Sequence, residues 1–188
     1  MQSEDWTTAD KEIGALLADN PRDASTLVLQ GALLNQQGEI ARSLGVLSDA
    51  LRIDSSLAGH SEILAAVVEG YKHNRTRKTA DQLVEQTIQH AAIPALTQAL
   101  RSEEWGDRKA RHAVASRLEK LGAGEEVDWA LLAMADLKSS SCGIKKAAIS
   151  KLLAQGDERA VGPLMKVAES RSCGAKQAKS AANAILAK

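Results

Sequence analysis

The sequence predicts an all-α protein built from stacked pairs of helices, and three observations carry that prediction. The C-terminal half repeats on itself: Ile93, Val127 and Val161 stand 34 residues apart with no gap needed. In that frame Ala113, Ala147 and Ala181 coincide, as do Leu118, Leu152 and Leu186, and Gly122 falls on Gly156. A fixed period of this length is the mark of a stacked-repeat protein. The composition is the second observation. There is no Phe, only three Trp and one Tyr, and Ala and Leu abound; small residues let helix backbones approach closely. Finally, three prolines in the whole chain leave long segments unbroken.

Length and charge bound the rest. At 188 residues the chain fits one domain or two small ones and can bury a core. The formal net charge is zero, but residues 1–92 carry 8 Lys and Arg against 13 Asp and Glu, while residues 93–188 carry 16 against 11. The halves therefore stand at −5 and +5, a dipole that can orient a partner on approach. No segment approaches the roughly 18 apolar residues that a membrane span needs, so no membrane partner is expected. The acidic start, MQSEDWTTADKE, does not read as a signal peptide. Cys142 and Cys173 are the only cysteines and form no CxxC or metal box. A reduced, cytoplasmic setting is the expectation.

Each element follows from local pattern. Ala9, Ile13, Leu16 and Leu17 form one apolar stripe and predict a helix over Trp6 to Asn20, which Asn20-Pro21 ends. Asp23 is placed to cap a helix running to about Gln37, with Leu27, Gly31 and Leu34 on one face. Gly38 breaks it. Ile40 to Ile53 is its antiparallel mate, carrying Leu44, Leu47, Ala50 and Leu51, because a short linker forces neighbouring helices to pack side by side. Ser61 is read as the cap of a helix through Tyr71. The polar run His73 to Lys78 is a break, and Ala80 to His90 forms the next helix. Beyond Ala91, second helices are expected over Asp107–Leu121, Cys142–Gln155 and Gly174–Leu186. Gly122 and Gly156 stand where a helix needs a left-handed stop.

At this point the residues carry a resemblance. Leu27, Gly31, Leu34, Gly38, Ser43, Leu47 and Ala50 resemble the ordered positions of a tetratricopeptide repeat, although Ile53-Asp54-Ser55 stands where that family often has a proline-containing exit. Ala9, Ile13, Leu16 and Pro21 resemble the second helix of a preceding repeat, so Trp6–Asn20 is either a lone capping helix or the start of a piece of a longer protein, the second being the favoured reading. AAIPALTQAL and RAVGPLMKVAES resemble the first helix of HEAT-like repeats. The resemblance implies a right-handed α-solenoid of antiparallel helix pairs. Residues 1–57 are then tetratricopeptide-like, 58–90 an adapter pair, and 91–188 HEAT-like. The run SSSCGIKKAAISKLLAQGDERAVGPL is also similar to C-terminal extensions of bacterial eukaryotic-like Ser/Thr kinases. No kinase motif is present: there is no Gly-rich loop, HRD or DFG.

No catalytic, cofactor-binding or metal residue is nominated. His60, His73, His90 and His112 make no ligand spacing and read as surface or boundary residues. Glu103-Glu104 and Glu125-Glu126 sit near helix starts, where negative charge complements the helix dipole. Cys142 and Cys173 read as small apolar fillers on neighbouring helices about 10 Å apart, with a disulfide or redox pair as the lesser alternative. The sharpest feature is basic. Arg111, Lys145 and Lys179 share one register, and Arg108 and Lys176 precede them by about one turn. On a HEAT-like concave face these five would form a ladder gripping an acidic or phosphorylated protein segment. The alternative is a nucleic-acid backbone, disfavoured by the scarcity of aromatics for base stacking. A solvated helix face is the plain alternative to both. The tetratricopeptide-like groove, at Ser25, Val28, Leu29, Ala32, Asn35 and Gln36, is too apolar to clamp a carboxylate. Trp105 and Trp129 are either exposed hot spots or core. The reading is thus a non-catalytic protein-interaction scaffold.

Overall fold

The computed structural model describes residues 3–102, 105–170 and 173–187, and among them every regular element is helical. The chain forms two compact units, Met1–Val127 and Asp128–Lys188. This division falls inside the segment read as a HEAT-like array, at the start of its second period.

In the first unit, α1 (Ser3–Asp19), α2 (Ala24–Gln36) and α3 (Ile40–Ile53) follow the predicted bounds closely. Asp23 caps α2 as expected, its carboxylate accepting from the Thr26 amide at 2.9 Å. Gly31 is buried because Leu47 lies over it, 2.5 Å from where a Cβ would stand. Beside this contact the Ser43 hydroxyl donates to the Gly31 carbonyl at 2.7 Å, so a small residue and a hydroxyl let α2 and α3 close on each other. Val28 is buried and Leu29 exposed, so the apolar groove is partly covered.

The next helix, α4 (Ser61–Lys72), touches α2 and α3. It begins one residue before the expected cap takes effect: His60 holds the cap position, and the Ser61 hydroxyl donates to Glu62. Ile63, Ala66, Val67 and Tyr71 of α4 are almost fully buried. The polar run after it closes its end. The Thr76 hydroxyl donates to the Gly70 carbonyl at 2.8 Å, and Arg77 Nε donates to the Tyr71 carbonyl at 2.8 Å. Helix ends leave carbonyls without intrahelical partners, and these two side chains satisfy them. The following helix, α5 (Arg77–Leu83), therefore starts three residues earlier than expected. It also does not run to His90. It widens into a π turn over Val84–Ile88 and a 3-10 turn over Gln89–Ala92, with Gln89 at φ 48°. Two short-range features explain the unwinding: Val84, Thr87 and Ile88 are β-branched, and the chain must turn into α6 (Ile93–Leu100), whose first turn holds Pro94. The unit ends with α7 (Arg108–Lys120), capped by Asp107 on the Ala110 amide at 2.6 Å.

The second unit comprises α8 (Trp129–Asp136), α9 (Cys142–Gln155), α10 (Val161–Glu169) and α11 (Ala175–Leu186). Its core includes Ala133, Leu137, Ile149, Leu152, Leu164, Ala178, Ala182 and Ile185. The 34-residue period reappears in the order of elements: a 3-10 turn, a short helix, then a longer one. It also reappears in burial. Leu96, Ala130 and Leu164 are buried, as are Ala99, Ala133 and Val167, and Val114, Ala148 and Ala182. The alanine column read from the sequence is one residue out of step with this pattern. Ala181 is buried, but Ala113 is half-buried and Ala147 exposed. Leu118 and Leu152 are buried and Leu186 is 68% exposed. Gly122 and Gly156 take the expected left-handed turn, at φ 77° and 68°.

One expectation is overturned in this unit. Cys142 and Cys173 are not reduced fillers; they form a disulfide with Cα atoms 5.6 Å apart. The reason is local. Gly174 adopts φ 88°, and a Cβ there would stand 2.9 Å from Ile149 Cδ1 of α9, a space only glycine leaves open. That close approach turns the chain ahead of α11 so that Cys173 meets the first residue of α9. The ordinary interhelical distance does not apply to a residue outside the helix.

Candidate functional site

A cleft of about 380 Å³ opens in the first unit between the α4–α5 segment and α7, lined by Asn74, Arg77, Lys78, Asp81, Ala113, Ser116, Arg117 and Lys120. Its α7 side follows from helical periodicity: positions 113, 116, 117 and 120 fall on one face. Its other wall comes from the polar run that closes α4.

Arg117 is the fixed element. Its side chain is only 4% exposed, and a buried charge needs partners. Nε donates to Asp81 Oδ1 at 2.8 Å and Nη2 to Oδ2 at 2.7 Å, a two-pronged pair. Nη1 lies 3.3 Å from Glu85 Oε1. The Tyr71 hydroxyl donates to the same Asp81 Oδ1 at 2.7 Å. The electrostatics follow. Burial pushes the Asp81 carboxyl up, but hydrogen bonds from Arg117 and Tyr71 outweigh it and hold the group below its ordinary value. Burial, then the neighbouring Asp81, pushes the Tyr71 phenol well above its ordinary range. The hydrogen bond to Asp81 raises Arg117 further. All three groups keep their ordinary charge near neutrality, so the network positions a cation and offers no proton to transfer.

Arg77 is held as firmly. Besides the Tyr71 carbonyl it reaches the Lys72 carbonyl at 3.2 Å and Asp107 Oδ1 at 3.1 Å. Asp107 thereby caps α7 and ties it to α5. Lys78 and Lys120 are exposed. No ion pair involves either ammonium among the described residues.

The five basic residues singled out in the sequence lie elsewhere. Arg108 and Arg111 are half-buried on α7, roughly half a turn from the cleft face by helical geometry, and each has interaction partners of its own. In the second unit, Lys145 is half-buried near the start of α9, and Lys176 and Lys179 are exposed on α11. Within that unit α9 touches α11, so these three lysines belong to adjoining helices joined by the disulfide. The other candidates stay ordinary. His60, His73 and His90 are exposed and His112 half-buried; His60 and His73 sit beside Glu62 and Glu69. Glu125 and Glu126 are exposed in a 3-10 turn before α8, whereas Glu103 and Glu104 lie outside the described residues. Trp105 and Trp129 are half-buried. Among the described residues no group of three His, Cys, Asp or Glu is placed to hold a metal ion, and no helix is long and apolar enough to cross a membrane.

Sequence reasoning missed the cleft because its two walls are 36 residues apart at Asp81 and Arg117. The available signal was the basic run Arg75, Arg77 and Lys78, taken as a break alone. Compared with family models, curated proteins and solved structures, the chain matches none.

Proposed function

We propose that this chain is a non-catalytic scaffold that holds an acidic or phosphorylated segment of another protein. The observation that carries the reading is the α5–α7 cleft, where two anchored arginines stand beside two lysines that make no ion pair among the described residues. Anchored cations lose little entropy when an anion arrives, and Arg and Lys suit carboxylate and phosphate. In this reading the helices form antiparallel hairpins stacked as a right-handed solenoid, tetratricopeptide-like over 1–57 and HEAT-like over 91–188. The recurring short and long helices, the repeated buried positions and the Gly31–Ser43–Leu47 contact support it. In this reading Lys145 of α9 with Lys176 and Lys179 of α11 makes a second basic surface. A setting as the recruiting part of a bacterial Ser/Thr kinase rests on the sequence resemblance; a cytoplasmic location rests on the acidic start that does not read as a signal peptide, and the Cys142–Cys173 disulfide weighs against a reduced compartment.

The test compares the wild type with Lys78→Glu/Lys120→Glu and Arg111→Glu/Lys145→Glu. Each is assayed for binding to a pool of acidic peptides and to duplex DNA across a salt series. Peptide binding lost on reversal of either pair, with unchanged helix content, supports the scaffold. DNA binding that falls steeply with salt and vanishes on reversal would replace it with the nucleic-acid reading. No peptide binding by the wild type refutes it.

A further inference from the structure

We infer that the α5–α7 cleft is a receptor for one phosphorylated side chain, a phosphomonoester on Ser or Thr of a partner segment. The inference rests on the scaffold reading and sharpens it to one site and one ligand chemistry.

The argument is one of charge placement. Among the described residues, four cations and one anion line the cleft. The one anion, Asp81, already has both oxygens engaged by Arg117 and Tyr71. The other carboxylates on these arginines, Glu85 and Asp107, do not line the cleft; their side chains are 55% and 58% exposed, where water screens them. Lys78 and Lys120, one from each wall, are thus the cations of the lining with no carboxylate within ion-pair distance among the described residues. A phosphomonoester carries about −1.5 to −2 at neutral pH and matches two ammoniums. A carboxylate carries half as much and has fewer acceptor oxygens. Arg77 donates from Nε and Nη2 only, to Tyr71, Lys72 and Asp107. Its Nη1 group is a third donor without a recorded partner among the described residues. Asn74 and Ser116 add neutral donors on the same lining.

Size and composition narrow the class. At about 380 Å³ the cleft, open to solvent, has room for one phosphorylated side chain. No aromatic residue lines it, so a nucleobase has nothing to stack on.

The experiment uses the full chain and a degenerate phosphoserine/phosphothreonine peptide pool, with the same pool after phosphatase treatment and a single-stranded DNA oligonucleotide as parallel arms. Retention is measured for wild type, Lys78→Ala/Lys120→Ala and the control Lys151→Ala, an exposed α9 lysine. The expected result is retention of the phosphorylated pool about tenfold above the treated pool, competed by inorganic phosphate. That preference disappears in the double variant and survives in the control, with identical thermal melts. Equal retention of both pools overturns the phosphate receptor; if acidic members still bind, the scaffold reading stands. A phosphate preference that persists in the double variant also overturns it, because the anion then sits elsewhere. Retention of DNA above the phosphorylated pool overturns it in favour of a nucleic-acid backbone. Absence of any binding overturns both readings.

Discussion

Reduction of the Cys142–Cys173 disulfide is expected to destabilise the second unit while leaving the first unchanged. The bond closes a span of 31 residues that contains α9 and α10. Chain-entropy reasoning puts the stabilisation from closing such a loop at about 3–4 kcal/mol. The unit holding it, Asp128–Lys188, is small, and a domain of its size is stable by only about 3–9 kcal/mol. The bond therefore supplies a large part of what holds it. The expected fall in melting temperature is about 12–32 °C, because small domains shift by about 4–8 °C per kcal/mol. The assay is circular dichroism with and without a dithiol reductant, with hydrogen exchange to locate the loss. Exchange should rise across α9, α10 and α11 and stay unchanged in α2, α3 and α4. Cys142→Ser/Cys173→Ser should reproduce the reduced protein and respond no further to reductant. A melt that does not move on reduction, or that moves equally in both units, would refute the reasoning.

Four other outcomes follow from the first unit and from α10. Gly31→Ala forces a methyl group into Leu47 and is expected to cost about 1–3 kcal/mol in chemical denaturation, whereas Gly45→Ala, with open space around it, costs nothing measurable or stabilises α3 slightly. Asp81→Asn removes the two-pronged partner of nearly buried Arg117 and should cost about 2–4 kcal/mol, less than a fully buried pair because Asp81 is 34% exposed. The same pair sets an acid limit. The folded Asp81 carboxyl titrates below its ordinary 3.8, so its contribution is present above the unfolded value and disappears as pH falls through the folded one. Stability measured from pH 6 down to pH 2 should therefore fall less steeply below about pH 4 in Asp81→Asn than in the wild type. Leu164→Ala, at a fully buried position of α10, should cost about 2–5 kcal/mol, read as a lower denaturation midpoint for the second unit.

Local chemistry was legible in the chain, and long-range chemistry was not. The helical class, the Asp23 cap and the left-handed turns at Gly122 and Gly156 each depend on residues within one or two helical turns, and the 34-residue period is itself a pattern along the chain, so a linear reading reaches them. The end of α5 escaped because its unwinding answers to the turn into α6 as much as to its own apolar stripe. The basic register of Arg111, Lys145 and Lys179 was visible as a spacing, but spacing carries no information about which other charges stand opposite. What tertiary structure alone decided was pairing: Arg117 with Asp81 and Tyr71, Cys142 with Cys173, and Lys78 across a cleft from Lys120. Helix-forming patterns act through neighbours along the chain, whereas a buried charge or a thiol takes whatever partner packing brings within bonding distance, and that partner can be more than thirty residues away.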